Sequence, residues 1–187
     1  MLKRILAGAL ALVVPFAAHA QGQEKVLRAV MHADVRVIDP IWTTQTIASI
    51  HGMLIYDTLF GNDANLKPQP QMVDKYEVSP DRLTYTFTLR DGLKFRDGSP
   101  GATKDVSASL KRWGAKDGVG IRLFSYVTKL DAVNDKTFTM VLKEPYGMVL
   151  ESLGKSGSSV AIIMREQEAL TDPQQQVKEA IGSGPYK

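Results

Sequence analysis

The sequence predicts an α/β fold, and three patterns within its 187 residues support this prediction. Residues 83–89 alternate apolar side chains with threonine, which is typical of a strand with one buried face. Residues 127–142 predict a hairpin, because the alternating runs 127–133 and 137–142 flank Asn134-Asp135. Between these patterns, apolar residues recur at helical spacing and predict an amphipathic helix. Those residues are Val106, Leu110 and Trp113.

The N-terminal segment predicts export. Lys3 and Arg4 precede the apolar run Ile5–Ala18, and small residues occupy both cleavage subsites of Ala18-His19-Ala20. We expect residues 1–20 to be a cleaved signal peptide, since a membrane span needs about 20 apolar residues. A retained anchor is the less favoured alternative. The chain has no cysteine, which predicts a periplasmic protein without lipid anchor or disulfide.

The composition is that of an ordinary globular chain, with 44% hydrophobic and 23% charged residues. Lys3 and Arg4 supply two units of the net charge of +3, so the exported part would be close to neutral. A near-neutral protein is not expected to bind nucleic acid or an anionic membrane as its main partner.

The remaining elements are predicted from local periodicity and turn residues. A short strand is expected over Val26–Met31 and a helix from about Gln45 to Leu59. Gly118-Val119-Gly120 is expected to be a loop, and Pro145 to open a short helix that ends at Gly154. An apolar strand is expected over Val160–Met164. The first helix is expected to bury Ile47, Ile50 and Leu54.

The residues that could support catalysis or bind a metal are few. Asp34 and Asp39 are close in sequence and could act as a general acid and base. The simpler interpretation is that Asp39 caps a turn before Pro40 while Asp34 ends a strand. His32 and His51 do not have metal-ligand spacing, and cysteine is absent, so no metal or other cofactor is expected.

The longest ordered motif lies between residues 76 and 113. It comprises a strand, a turn, the alternating strand, two Asp-Gly turns and the amphipathic helix. Its most distinctive residues are Val78-Ser79, Leu83–Phe95 with Asp91-Gly92, Asp97–Pro100, Asp105-Val106 and Ser109–Arg112. Through these residues the region resembles family 5 of the solute-binding proteins, the extracytoplasmic receptors of peptide, nickel and related ABC importers.

Shorter motifs extend the resemblance over almost all of residues 26–187. They are Ile38-Asp39-Pro40, Tyr56–Phe60, Pro68 with Met72-Val73, Asp135-Lys136-Thr137, Leu142–Pro145 and the glycine-rich Gly182–Tyr186.

The resemblance implies a type II periplasmic-binding fold, in which a lobe of sheet and helices carries an inserted α+β subdomain of hairpins and helices. It assigns residues 21–43 and 160–187 to the first lobe and residues 44–159 to the inserted subdomain. Family members are much longer and have two lobes. The chain is therefore expected to be an N-terminal fragment that lacks the second lobe.

The resemblance also implies that a ligand would lie in the cleft between the two lobes. Trp42 would supply an aromatic wall and Arg122 could bind a ligand carboxylate. A buried or seam position for Trp42 and a solvated position for Arg122 are the alternatives. The full set of candidate cleft residues is Asp34, Trp42, Thr43, Gln45, Arg122, Phe124, Lys155, Ser156 and Ser158.

The function implied is a non-enzymatic receptor that closes on its cargo, expected to be a peptide, and delivers it to an ABC importer permease. Nickel chelates, opines, saccharides and antimicrobials are alternative cargoes. A secreted hydrolase that uses Asp34 and Asp39 is the enzymatic alternative, and a chemosensory or chaperone-like binding protein is a third.

Overall fold

The computed structural model describes residue 28 and residues 30–186. The predicted signal peptide and residues 26, 27 and 29 of the strand predicted at Val26–Met31 lie outside these residues. The other three residues of that prediction, Arg28, Val30 and Met31, are not part of a strand. In chain order the elements are α1 (Thr46–Ile55), β1 (Phe60–Asn62), β2 (Pro68–Pro70), β3 (Val73–Val78), β4 (Thr84–Leu89), α2 (Thr103–Gly114), α3 (Gly118–Phe124), β5 (Val127–Ala132), β6 (Thr137–Leu142), α4 (Val149–Leu153) and α5 (Glu166–Ala169).

The main sheet has four antiparallel strands in the order β3-β4-β6-β5. Its central strand β4 buries Tyr85, Phe87 and Leu89, which confirms the predicted alternation over these residues. Leu83, the first residue of the predicted buried face, precedes the strand and is half-buried. Phe87 is directly opposite Phe138 on β6, and their rings stack with centroids 4.9 Å apart. The ring of Phe60 meets Phe87 edge-on, so an aromatic cluster fills this part of the core.

The predicted hairpin of β5 and β6 is confirmed. Its turn is closed by Asn134, whose Oδ1 accepts the backbone N–H groups of Lys136 and Thr137 at 2.9 Å. The alternating face of β6 is buried against the core, as predicted for Phe138, Met140 and Leu142.

The two predicted Asp-Gly turns are also confirmed, because Gly92 and Gly98 both have positive φ angles, of 74° and 89°. Helix α2 follows them. Its apolar stripe of Val106, Leu110 and Trp113 is fully buried and belongs to the same core as the sheet. The predicted amphipathic helix is therefore confirmed.

Helix α1 is shorter than predicted and faces a different way. It covers Thr46–Ile55, and only Ile47 of the three residues expected to be buried is buried. Ile50 and Leu54 are 37% and 39% exposed. The reason is that the inner face contains small residues: a Cβ built at Gly52 would lie 2.6 Å from the ring of Pro40.

Two further predictions need correction. The helix expected from Pro145 begins only at Val149, although it ends before Gly154 as predicted. Residues 160–164 are all buried but do not form a strand, since only Ile162 makes a single bridge, to Thr58.

Candidate ligand-binding face

Helix α2 presents a polar stripe, made of Asp105, Ser109 and Arg112, to the C-terminal segment of the described chain. All three residues are buried. Asp105 Oδ1 accepts the backbone N–H of Glu166 at 2.7 Å, and Ser109 Oγ accepts that of Met164 at 2.9 Å. The polar stripe therefore supplies acceptors to the backbone N–H groups of Met164 and Glu166, which lie just before and at the start of α5.

Arg112 is the last member of the polar stripe and makes the most contacts. Its Nη1 donates to the carbonyls of Thr171 and Asp172, and its Nη2 donates to the carbonyl of Gln175 at 2.8 Å. The same Nη2 donates to Asp39 Oδ2 at 2.6 Å. Both charged side chains are almost fully inaccessible to solvent, so the pair is a buried, hydrogen-bonded ion pair.

Asp39 caps a tight turn, as the simpler sequence interpretation predicted. Its Oδ1 accepts the N–H groups of Ile41 and Trp42 at 3.1 Å, and its Oδ2 accepts that of Val177 at 3.0 Å. Each carboxylate oxygen of Asp39 thus holds two donors. Asp34 is exposed instead, and the two carboxylates occupy quite different environments.

Trp42 follows this turn and is half-buried. Its indole Nε1 donates to the carbonyl of Gln174 at 2.9 Å, which lies within the loop that Arg112 holds. The carbonyl of the next residue, Thr43, accepts the hydroxyl of Ser159 at 3.3 Å. The structure therefore brings Trp42 and Thr43 beside two loops that are distant in sequence.

The polar loop Lys155–Ser159 is fixed on its inner side. The ammonium of Lys155 pairs with Asp117 and donates to the carbonyl of Ser159, which also accepts the indole N–H of Trp113 at 2.9 Å. Ser158 has a positive φ angle of 58°, a conformation that is uncommon outside glycine. Lys155 is thus engaged in internal contacts.

The outer side of the same loop is open. Ser156 and Ser158 are exposed, and the carbonyl of Ser158 accepts the Ser49 hydroxyl at 3.4 Å. These two serines and Thr43 are therefore the polar candidates from this region that keep groups near the surface.

Asp34 and Gln45 lie together at a shallow cavity of about 420 Å³ beside the first turn of α1. His32, Arg36 and Thr46 also line this cavity. Gln45 is the residue at which α1 begins, but its side chain does not cap the helix. Trp42, Thr43 and the polar loop are not among the residues that line this cavity.

Arg122 and Phe124 lie on α3, which corrects the predicted loop at residues 118–120. The helix forms because the Asp117 carboxylate accepts the N–H groups of Val119 and Gly120 at 2.9 and 3.1 Å. A side-chain cap at the first turn thus compensates for the low helix propensity of the two glycines.

Neither candidate of α3 contacts the Trp42 region through a hydrogen bond or ion pair within residues 30–186. Arg122 donates to the Tyr126 hydroxyl at 2.6 Å, and its guanidinium lies 4.9 Å from the centre of that ring. The ring of Phe124 lies directly over Gly114, where a built Cβ would be 2.4 Å away. Phe124 therefore has a packing role between α2 and α3.

Sequence reasoning missed Arg112 as a residue of this region, although a signal was present. Asp105, Ser109 and Arg112 are spaced at i, i+4 and i+7, which places them on one face of a helix. The polar face of an amphipathic helix is normally exposed to solvent, so this spacing alone did not predict that the three side chains are buried.

Tyr56 is a second buried polar residue near the ion pair. Burial raises the pKa of its hydroxyl well above the usual range, and the negative charges of Asp39 and Glu168 raise it further. The side chain is 3% exposed, so Tyr56 stays neutral at physiological pH.

Residues 30–186 contain no group of three or more side chains suited to hold a metal ion.

Comparison with known proteins identifies the family of this chain. Residues 67–187 match the family model described as bacterial extracellular solute-binding proteins, family 5 middle region. The chain belongs to this family. The match covers more than half of the sequence and includes the alternating strand, both Asp-Gly turns, α2 and the glycine-rich motif.

Family 5 relatives match over most of the chain. A protein from Sinorhizobium fredii named "Probable peptide ABC transporter periplasmic-binding protein y4tO" is 40% identical over 190 residues, covering all of this chain and 35% of the relative. The glutathione-binding protein GsiB of Pectobacterium atrosepticum is 31% identical, over 80% of this chain and 29% of its own length. The chain thus spans about a third of the length of these relatives.

Solved structures agree with the family assignment. The binding protein AgaA of Agrobacterium tumefaciens R10, in complex with agropinic acid, matches with a TM-score of 0.68 and 25% identity, over 81% of this chain and 30% of that one. DppA of Helicobacter pylori, in complex with the peptide STSA, matches with a TM-score of 0.66 and 24% identity, over 83% of this chain and 35% of that one. The second similarity concerns the fold alone.

Proposed function

We propose that this chain forms part of the binding lobe of an extracytoplasmic receptor that delivers peptides to an ABC importer. The observation that carries the proposal is the 40% identity to the protein named as a peptide ABC transporter periplasmic-binding protein, which extends over the whole chain. The aligned region covers the core and also the candidate face, which consists of Trp42, Thr43, Ser156 and Ser158. A non-enzymatic role is consistent with family membership, because the family is one of solute-binding proteins.

The geometry of the candidate face supports binding of an extended polar ligand. Trp42 offers a half-buried ring on a fixed turn, and Thr43, Ser156 and Ser158 provide hydroxyl or backbone groups nearby. A peptide presents regularly spaced N–H and C=O groups, which such hydroxyls and carbonyls can pair. The aromatic ring supplies apolar contact area at low entropic cost.

We propose that ligand binding requires a second lobe and closure of the two lobes. Relatives are about three times as long as this chain, so a receptor of their length has room for such a lobe. A ligand enclosed between two surfaces loses its water, and its polar contacts strengthen as the local dielectric falls. Closure would then select the form that docks on the permease.

The proposed location is the periplasm, reached through the signal peptide predicted at residues 1–20. Within the described residues, none of the helices has both the length and the apolar character that a membrane crossing demands. Edman sequencing of protein recovered from a periplasmic extract is expected to begin at Gln21. A first residue of Met1 would contradict export by cleavage.

Calorimetric titration of the receptor that carries this chain tests the proposed cargo. The probes are the peptide STSA, glutathione and agropinic acid, and we expect binding to at least one of the two peptides. Trp42→Ala is expected to weaken that binding at least about tenfold, as the removal of an aromatic anchor does. Lys129→Ala, an exposed change on the outer strand β5, is the matched control and is expected to leave affinity unchanged.

Two results would overturn this proposal. Binding of agropinic acid with no binding of either peptide would place the cargo among opines. Equal peptide affinity for the isolated 187-residue chain and the longer receptor would exclude the need for a second lobe.

Arg122→Ala tests the other candidate region. If this variant binds peptide as tightly as the unsubstituted receptor, α3 is not part of the binding site.

A further inference from the structure

We infer that Asp39 and Arg112 are positioning residues, which together hold the side chain of Trp42 in place at the candidate face. This inference rests on the proposed function in one respect, namely that Trp42 contacts the ligand. The hold on Trp42 itself follows from contacts that are independent of any cargo.

The first hold acts on the backbone. Asp39 Oδ1 accepts the N–H of Trp42 and that of the preceding Ile41, both at 3.1 Å. These two bonds fix the turn from which the Trp42 side chain leaves the backbone. Residues 40–42 form a turn outside any regular element, so no helix or sheet ladder fixes the backbone there.

The second hold acts on the indole. Trp42 Nε1 donates to the carbonyl of Gln174, in a loop without regular secondary structure. Arg112 binds carbonyls of Thr171, Asp172 and Gln175, on both sides of Gln174. Within the loop, Asp172 accepts the N–H groups of Gln174 and Gln175 through its Oδ1 and its carbonyl, at 2.7 and 2.8 Å. These internal bonds shape the loop, and Arg112 attaches it to helix α2, so the position of the indole acceptor depends on Arg112.

The ion pair joins the two holds. Arg112 Nη2 donates to both Gln175 O and Asp39 Oδ2. One nitrogen therefore links the loop that accepts the indole N–H to the carboxylate that fixes the turn of residues 40–42. Arginine suits this role because its planar fork can reach several acceptors at once, whereas lysine offers a single charged centre. Arg112→Lys keeps the charge but loses the fork. Asp39→Asn directs its amide NH2 at two donors in either orientation, because each carboxylate oxygen of Asp39 accepts two N–H groups.

Fluorine NMR of the receptor labelled with fluorotryptophan tests the inference. The Trp42 signal is assigned by its loss in Trp42→Phe. In Arg112→Lys and Asp39→Asn, we expect this signal to shift and broaden at a temperature where circular dichroism shows both variants folded. We also expect affinity for the peptide STSA or glutathione to fall at least about fivefold in each variant.

The outcomes separate this inference from the proposed function. An unchanged Trp42 signal in folded variants, even with a lower melting temperature, would reduce the pair to a structural role and overturn the inference. A displaced Trp42 with unchanged peptide affinity would overturn its link to binding. Failure of every peptide to bind the unsubstituted receptor would reject the proposed function, while the NMR signal still decides the inference.

If the single variants do not fold, the double variant Asp39→Asn/Arg112→Met serves instead, because it leaves no unpaired buried charge. The same shift and broadening of the Trp42 signal is expected from it. An unchanged signal in this variant would also overturn the inference.

Discussion

Arg112 and Asp39 are 73 residues apart in the sequence, yet Nη2 of the first and Oδ2 of the second are separated by 2.6 Å in the interior. The pair connects helix α2 to the segment before α1, and the same guanidinium binds the loop of residues 171–175. Three separate stretches of chain therefore meet at one side chain. Burying two charges is costly, and the cost is offset here because nearly all of their hydrogen-bonding groups have partners.

Removing one member of this pair is expected to be strongly destabilising. Arg112→Ala would leave Asp39 charged and buried and would remove the donors to the carbonyls of Thr171 and Gln175. We therefore expect the free energy of unfolding to fall by about 3–5 kcal/mol. Urea denaturation followed by circular dichroism measures this change. Lys104→Ala is the control, since Lys104 and Glu166 are 3.6 Å apart and largely exposed, and its effect is expected to be below about 1 kcal/mol. Similar effects of the two changes would contradict the role assigned to burial.

The glycine-rich motif at residues 182–186 is explained by close approach of two backbones. A Cβ built at Gly182 would lie 2.0 Å from the carbonyl oxygen of Ile55, and Gly184 donates its N–H to the same oxygen at 2.8 Å. Arg96 secures the motif from the other side by donating from Nε to the carbonyl of Gly184 at 2.7 Å. Any side chain at Gly182 would force these chains apart.

Gly182→Ala is therefore expected to lower the free energy of unfolding by about 1–3 kcal/mol through overpacking. Gly61→Ala is its control, because a Cβ there meets nothing within 4 Å. The control is expected to be neutral or slightly stabilising, since alanine restricts the unfolded chain. Thermal unfolding of both variants measures the difference, and an equally stable Gly182→Ala protein would contradict the close approach.

Most of the sheet and helix α2 could be predicted because their signals are local. Alternation over residues 83–89, the turn residues at 134–135 and the helical spacing from Val106 to Trp113 each depend on neighbours within a few positions. The face of α1 could not be predicted in this way. Its orientation depends on contact between Pro40 and Gly52, which leaves larger apolar residues of α1 on the outside.

The residues that support the candidate face were predictable only in part. The turn role of Asp39 followed from its position before Pro40, a local rule. The burial of Arg112 did not follow, because its partners are carbonyls 59 to 63 positions away that leave no mark on the sequence near it. Lys155 shows the same limit, since its partner Asp117 is 38 positions away.

Phe87 is expected to be a main contributor to core stability. It is inaccessible to solvent, stacks on Phe138 and meets Phe60 edge-on. Phe87→Ala is expected to lower the free energy of unfolding by about 3–5 kcal/mol, because a large cavity would remain. Val133→Ala, at a residue that is 61% exposed, is expected to change it by less than about 0.5 kcal/mol. Chemical denaturation checks both, and a change below about 1 kcal/mol for Phe87→Ala would contradict the observed strand register.

Asp97 gives the protein a dependence on acidic pH. Its Oδ1 accepts the hydroxyl and the N–H of Ser99 at 2.6 and 2.9 Å, and its Oδ2 accepts Nη1 of Arg165 at 2.6 Å. These contacts, with the Ser99 hydroxyl as the largest cause, lower the pKa of Asp97 from 3.8 to about 2. The folded state therefore binds a proton at this carboxylate less readily than the unfolded chain does.

A lowered pKa in the folded state stabilises the protein at pH values above that of the unfolded chain, and this contribution is lost as pH falls. For Asp97 the loss is expected between about pH 3.8 and pH 2. Asp97→Asn cannot ionise, so its melting temperature should lie below that of the unsubstituted protein at neutral pH, with a gap that narrows across this window. Thermal unfolding at a series of pH values measures the gap, and carbon NMR of the Asp97 carboxyl measures the pKa directly. A gap that stays constant down to pH 2, or a pKa near 3.8, would mean that the Ser99 and Arg165 contacts do not favour the charged form.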